Sequence, residues 1–246
     1  MKFFPELKTK RFTVQMRELT IGESIMIASM PSHLEEACIT SFLRKVCERI
    51  DGIDDPARWT VSERLFAVTH YLAATSEDGP DFLIGKEGHY TEYLDIKKDD
   101  YRESLDIGEI GGDKWRVVHM TGGMAEAIER LVGEMNIPIR LHWILGGMAA
   151  QLVMDVETIP EINEDYDQWL QKRMTVFIAY PESDFEKLMT AYLTALHDMR
   201  MYFSIEFNDS GIIVLPKEAE GVLPPARFPA KTCLTRTAII LAGRDD

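Results

Sequence analysis

Six histidines (His33, His70, His89, His119, His142, His197) and three cysteines (Cys38, Cys47, Cys233) are the residues from which this chain would build a metal site or a thiol nucleophile. Their spacing does not favour either. Zinc ligands recur in patterns such as C-x-x-C or H-E-x-x-H, because one helix turn or tight turn brings two donors together; no such pattern occurs here. His197-Asp198 is the nearest approach, and a histidine near the end of a predicted helix is more simply explained by the free carbonyls there. His70 lies one helical turn from Phe66 and Ala74, as a partly buried histidine with its own partner would. Neither Cys38 nor Cys47 has the basic neighbours that lower a thiol pKa, and no G-x-S-x-G elbow is present for a serine nucleophile. Gly108, Gly111, Gly112, Gly122 and Gly123 come closest to a phosphate loop. Gly111-Gly112 lacks a Lys-Ser/Thr sequel and reads as a turn, whereas Thr121-Gly122-Gly123 either presents N–H groups to an anion or connects a strand to a helix. The carboxylate pairs Asp54-Asp55 and Asp99-Asp100 are adjacent in sequence, so their side chains point apart, a poor basis for acid–base work. An enzyme would have to gather scattered residues such as His119, Asp113 and His197 into a metal-dependent hydrolase site. The expectation is instead a non-enzymatic chain with no catalytic residue, no cofactor and no bound metal.

The composition narrows the partners. Of 246 residues, 46% are hydrophobic and 28% charged, enough to bury a substantial core. The 41 acidic against 27 basic residues give a net charge of −14, which disfavours nucleic acid as a partner. Such acidity serves solubility and mutual repulsion of free subunits, or else a basic partner. Three cysteines make no disulfide framework, and the odd thiol suits a reducing compartment. Met1-Lys2-Phe3-Phe4-Pro5-Glu6 has no apolar stretch of signal-peptide length. The most apolar region, Trp143 to Met154, is too short for a bilayer and is interrupted by Gly146, Gly147 and Gln151, so no membrane segment is expected. The 13 methionines and 4 tryptophans suit either a core or adaptable contacts with partners.

The elements that would position these residues follow from periodicity. Phe12 to Leu19 alternates as a half-buried strand does. Four capping-box patterns follow, at Thr20-Ile21-Gly22-Glu23, Ser32-His33-Leu34-Glu35, Thr60-Val61-Ser62-Glu63 and Ser183-Asp184-Phe185-Glu186, each of which predicts a helix start. The second helix carries Ile39, Phe42, Leu43, Val46 and Ile50 on one side, with Cys38 and Cys47 on opposite faces. The third carries Val61, Leu65, Val68 and Leu72, and the last Phe185, Leu188, Tyr192, Leu196 and Met199. Asp54-Asp55-Pro56 predicts the turn of an antiparallel helical hairpin. A helix is expected from Gly123 to Met135 with Ala125, Ile128, Leu131, Val132 and Met135 inward, and a more apolar one from Ile139 to Met154 behind Pro138. The acidic stretch Asp155 to Asp167 reads as a surface loop or helix start. Two β-hairpins are expected, at about 103–120 around Gly111-Gly112 and at about 201–215 around Asn208-Asp209-Ser210-Gly211. Beyond Pro216, a tail with Pro224, Pro225 and Pro229 excludes helix locally and ends in a strand candidate, Ala238 to Ala242. The class is α+β, mainly helical. Residues 1–76 form a strand plus helical region and 77–246 an α+β region with both hairpins, or the two run together as one domain.

The run from Phe12 to Glu23, the helix with Cys38, and Trp59-Thr60-Val61-Ser62-Glu63-Arg64-Leu65-Phe66 resemble tail and baseplate assembly proteins of contractile-tailed bacteriophages. Hub assembly chaperones are among them. The resemblance covers about residues 12–75 and implies a strand that ends in a Thr-x-x-Glu helix start ahead of a helix pair. That family carries no catalytic signature to transfer. The resemblance implies other tail or baseplate proteins as partners, a homo-oligomer or larger assembly, and residence in the host cytoplasm and then in the virion. A soluble adaptor is the remaining alternative.

Overall fold

The structure, a computed structural model, describes residues 2–86, 88–163, 165–217 and 223–243. Met1, Glu87, Glu164, 218–222 and 244–246 lie outside them.

β1 (Leu7–Lys8) and β2 (Phe12–Met16) pair antiparallel. In β2 the expected alternation is realised, with Phe12, Val14 and Met16 buried and Thr13 and Gln15 half-buried between them. α1 (Ile21–Ala28) starts on the predicted capping box: the Thr20 hydroxyl accepts from the Glu23 N–H at 3.3 Å, and the Glu23 carboxylate accepts from the Thr20 N–H at 2.9 Å. α2 (Glu35–Val46) departs from expectation at both ends. Its cap residue is Leu34, so the predicted box at Ser32 does not form. The helix stops at Val46, and Cys47 and Ile50 belong to β3 (Cys47–Gly52), which pairs antiparallel with β2. The open edge of β2 needs backbone partners, and supplying them outweighs a further turn of helix. Gly52 closes the strand at φ +107°, where an added Cβ would lie 2.4 Å from the Arg11 carbonyl.

The expected helical hairpin is therefore interrupted by a strand and by a 3-10 turn, Pro56–Arg58, whose Ala57 N–H is capped by Asp55. α3 (Val61–Thr75) begins on the Thr60/Glu63 box as predicted. The polar stretch after it holds a small hairpin, β4 (Leu83–Ile84) with β5 (Gly88–His89). β6 (Ser104–Ile110) and β7 (Asp113–Val118) form the first predicted hairpin, with Gly111 and Gly112 at φ +67° and +90° in its turn.

α4 (Gly122–Arg130) ends before the expected Met135, and Val132, expected inward, is 40% exposed. α5 (Ile139–Gln151) is buried along most of its length, but Leu152–Met154 leave it as β8, the third strand beside β7. α6 (Tyr166–Ile178) follows the acidic stretch; only a loop or helix start was expected there. α7 (Glu182–Asp198) starts after Pro181, which puts Ser183 inside the first turn, so the fourth predicted box does not form. Pro181 is itself the N-cap, at φ −54° and ψ 135°, and no side chain caps the helix start. β9 (Ser204–Asn208) and β10 (Gly211–Leu215) make the second predicted hairpin.

The predicted terminal strand is instead a helix, α8 (Arg236–Leu241), capped by the Thr235 hydroxyl. It packs on α1 with Ala238 fully buried. No sheet edge among the described residues reaches it, and only a helix satisfies its backbone from within. The fold is α+β and mainly helical. One connected cluster of buried side chains runs from Phe4 to Leu234. Trp59, Trp115 and Trp143 belong to it, as do Met16, Met120, Met124, Met148, Met174, Met199 and Met201. No described helix is long and apolar enough to cross a membrane.

Candidate functional site

Ionisable side chains lie in the core where α2, α3 and α4 meet. Glu129 of α4 is 5% exposed and aims its carboxylate at the free N-terminus of α2. Oε1 accepts from the Glu36 N–H at 2.8 Å and Oε2 from the Ala37 N–H at 3.2 Å. A side chain 93 residues away thus replaces the missing local cap. Arg64, 1% exposed, donates from Nη2 to the Glu36 carbonyl at 2.6 Å and sits 3.3 Å from the Glu36 carboxylate. Gly122 makes room for it, since a Cβ there would lie 2.3 Å from Nη1. Burial pushes both carboxyls up to about 7; the Arg64 charge opposes this at Glu36, and the α2 N–H groups oppose it at Glu129. Glu63 is fully buried, bonds the Thr60 N–H, and has the Arg11 guanidinium 3.5 Å from its other oxygen. Both Glu129 oxygens, Arg64 Nη2 and Glu63 Oε2 are committed to backbone groups, which is structural work, whereas Glu63 Oε1 and Arg64 Nε and Nη1 are buried without a hydrogen-bond partner among the described residues.

A cavity of about 320 Å³ lies between the start of α3, the end of β7, the last turn of α7 and β9. His119 and His197, two of the scattered candidates, both line it. Asp113 does not: it is exposed at the far end of β7, about 20 Å from His119 at about 3.3 Å per strand residue. Desolvation and the nearby Arg11 charge hold the His119 imidazole down at about 4, so it is neutral at pH 7. Its ring stacks on Tyr101, and its Nε2 is buried without a hydrogen-bond partner among the described residues. Ser62, at the same wall, donates its hydroxyl to the Met201 carbonyl. Tyr202 follows at φ +45°, a conformation that non-glycine residues rarely adopt.

The remaining histidines are accounted for by backbone carbonyls or by exposure. His70 meets the Pro5 carbonyl at 2.8 Å, as expected of a partly buried histidine with a partner. His142 meets Ile128 at 2.7 Å and His89 meets Asp81 at 3.2 Å, while His33 is exposed. Burial pushes the Cys38 thiol up to about 11 and Cys47 to about 12, away from reactivity. No group of three or more His, Cys, Asp or Glu side chains among the described residues is placed to hold a metal. Thr121-Gly122-Gly123 resolves as a connection: the Gly122 N–H bonds the Trp59 carbonyl at 2.9 Å, and the Thr121 hydroxyl caps Met124. A groove beside it carries Arg11, Arg44, Arg58 and Arg130, three of them already in ion pairs with Glu63, Asp55 and Asp167.

Apolar side chains are also left in solvent. α1 exposes Ile21 (53%) and Met26 (44%), and α8, packed against it, exposes Ile240 (46%) and Leu241 (61%). Sequence reasoning did not single out Glu36, Arg64 or Glu129. The one local signal was the Gly122-Gly123 pair, whose first member is small because a guanidinium occupies its Cβ position.

No protein-family model, curated protein or solved structure matches this chain.

Proposed function

We propose that this chain is a non-enzymatic structural or assembly component of a bacteriophage tail or baseplate, acting through protein–protein interfaces. The observation that carries this reading is the pair of packed helices α1 and α8, which together leave Ile21, Met26, Ile240 and Leu241 largely in solvent. Large apolar side chains left exposed on two adjoining helices favour a covering partner. The net charge of −14 repels identical copies, so another, less acidic tail polypeptide is the favoured occupant over a homo-oligomer. The resemblance of residues 12–75 to tail and baseplate assembly proteins points the same way, and with it to the host cytoplasm and then the virion as location. The core ionisable groups fit a structural role, because Glu63 and Glu129 each cap a helix.

Co-expression with the polypeptides encoded beside it, followed by size-exclusion chromatography and light scattering, tests the proposal. A stable complex that Leu241→Glu disrupts is the expected result. A monomer that ignores all of them refutes it. One observation favours the hydrolase alternative, since His119 and His197 line a single cavity. Stoichiometric zinc or manganese in the purified protein, lost on His119→Ala, would decide for that alternative.

A further inference from the structure

We propose that the cavity behind α7 binds a small amphipathic carboxylate, a medium-chain fatty acid in size and shape. Its wall is mostly apolar, with Val61, Met120, Leu196, Met199, Phe203 and Phe207 contributing, and the His197 imidazole and the Arg200 guanidinium also line it. At about 30 Å³ per liquid-packed non-hydrogen atom, as for water, the 320 Å³ space takes about ten such atoms, the number in octanoate. Binding sites of this kind combine a desolvating apolar body with a few placed polar groups.

The charge of the ligand follows from Arg200. It is half-buried and makes no side-chain hydrogen bond or ion pair with a described residue, in a chain that holds 41 acidic residues. His197 stands three residues earlier in the last turn of α7. A guanidinium lining an apolar space suits a carboxylate, which it can bind in a bidentate fork. Glu206 also lines the cavity and opposes an anion, so it lowers affinity. The methionines at positions 120, 199 and 201 can repack around an alkyl chain of variable length.

Calorimetric titration of the full chain with sodium octanoate tests this, with octylammonium and octanol as probes of charge. The expected result is one octanoate per chain at a Kd of about 0.1 mM, with octanol about tenfold weaker and octylammonium weaker still. Arg200→Ala, at a half-exposed position, weakens octanoate at least about tenfold. Glu206→Gln tightens it, and Leu196→Trp fills the space and abolishes binding, with circular dichroism showing that each variant is folded. Absence of octanoate binding overturns the proposal, and so does an affinity that Arg200→Ala leaves within about twofold. Octylammonium binding as tightly as octanoate also overturns it. None of these outcomes touches the α1/α8 assembly reading, whose assay uses a different surface.

Discussion

At the scale of single residues, Glu129 does the most for the fold that no local rule foresees. Its carboxylate satisfies two backbone donors at the start of α2 from within the core. Glu129→Ala leaves those two N–H groups unpaired, at about 1–3 kcal/mol each, so the melting temperature should fall by about 5–20 °C. Scanning calorimetry checks this. Glu36 adds a pH dependence of definite sign. Its carboxyl stands at about 7 in the fold, above its ordinary 4.5. The folded chain therefore holds a proton there that the unfolded chain releases. The stability this contributes is intact below about pH 4.5 and is lost as pH rises through about 7. Glu129 behaves alike, whereas His119, held down at about 4, contributes stability above about 6.5 that is lost as pH falls through 4. Melting temperatures of the native chain and of Glu36→Gln, measured at pH 5 and pH 7.5, separate these opposing trends. Between those pH values the variant should change in favour of stability relative to the native chain, and parallel curves would contradict the assignment.

At the scale of elements, two glycines in helix first turns respond oppositely to alanine. Gly22 has nothing within 4 Å of an added Cβ, so Gly22→Ala should stabilise by about 0.5–1 kcal/mol through the unfolded chain alone. Gly122→Ala drives a methyl into the Arg64 guanidinium, 1% exposed and unable to swing into solvent, and should destabilise by about 1–3 kcal/mol. Urea titration of both variants reads the two signs directly. The two realised capping boxes differ in the same way. Thr20→Ala, at a cap whose bond is solvent-exposed, should cost about 1 kcal/mol, and Thr60→Ala, 1% exposed, about 2. These boxes were legible because the cap and its partner lie three residues apart. The boxes expected at Ser32 and Ser183 failed because Glu129 and Pro181 start those helices instead.

At the scale of the whole molecule, the packed pair α1 and α8 links the two ends of the chain and carries the assembly proposal. Ile240→Glu together with Leu241→Glu removes apolar surface already in solvent, so the isolated chain should keep its melting temperature within about 2 °C. The same double variant should lose the tail partner. If unfolding moves in step with partner loss, the face supports the fold and is not a docking surface.

What the residues decided by themselves is whatever closes over a few positions: the alternation of Phe12 to Met16, the Thr20 and Thr60 helix starts, and the hairpins built on Gly111-Gly112 and Gly211. Each of these satisfies its hydrogen bonds within a short span, so its signal is complete in the local sequence. β3, β8 and α8 were decided only by the tertiary structure, since a helical stripe continues into a strand wherever a distant edge offers backbone partners, and a strand candidate without such an edge coils into helix. The same holds for the chemistry. Glu129 found its N–H groups, Arg64 its gap at Gly122, and His119 and His197 their shared cavity through contacts that span tens of residues, for which spacing along the chain carries no record.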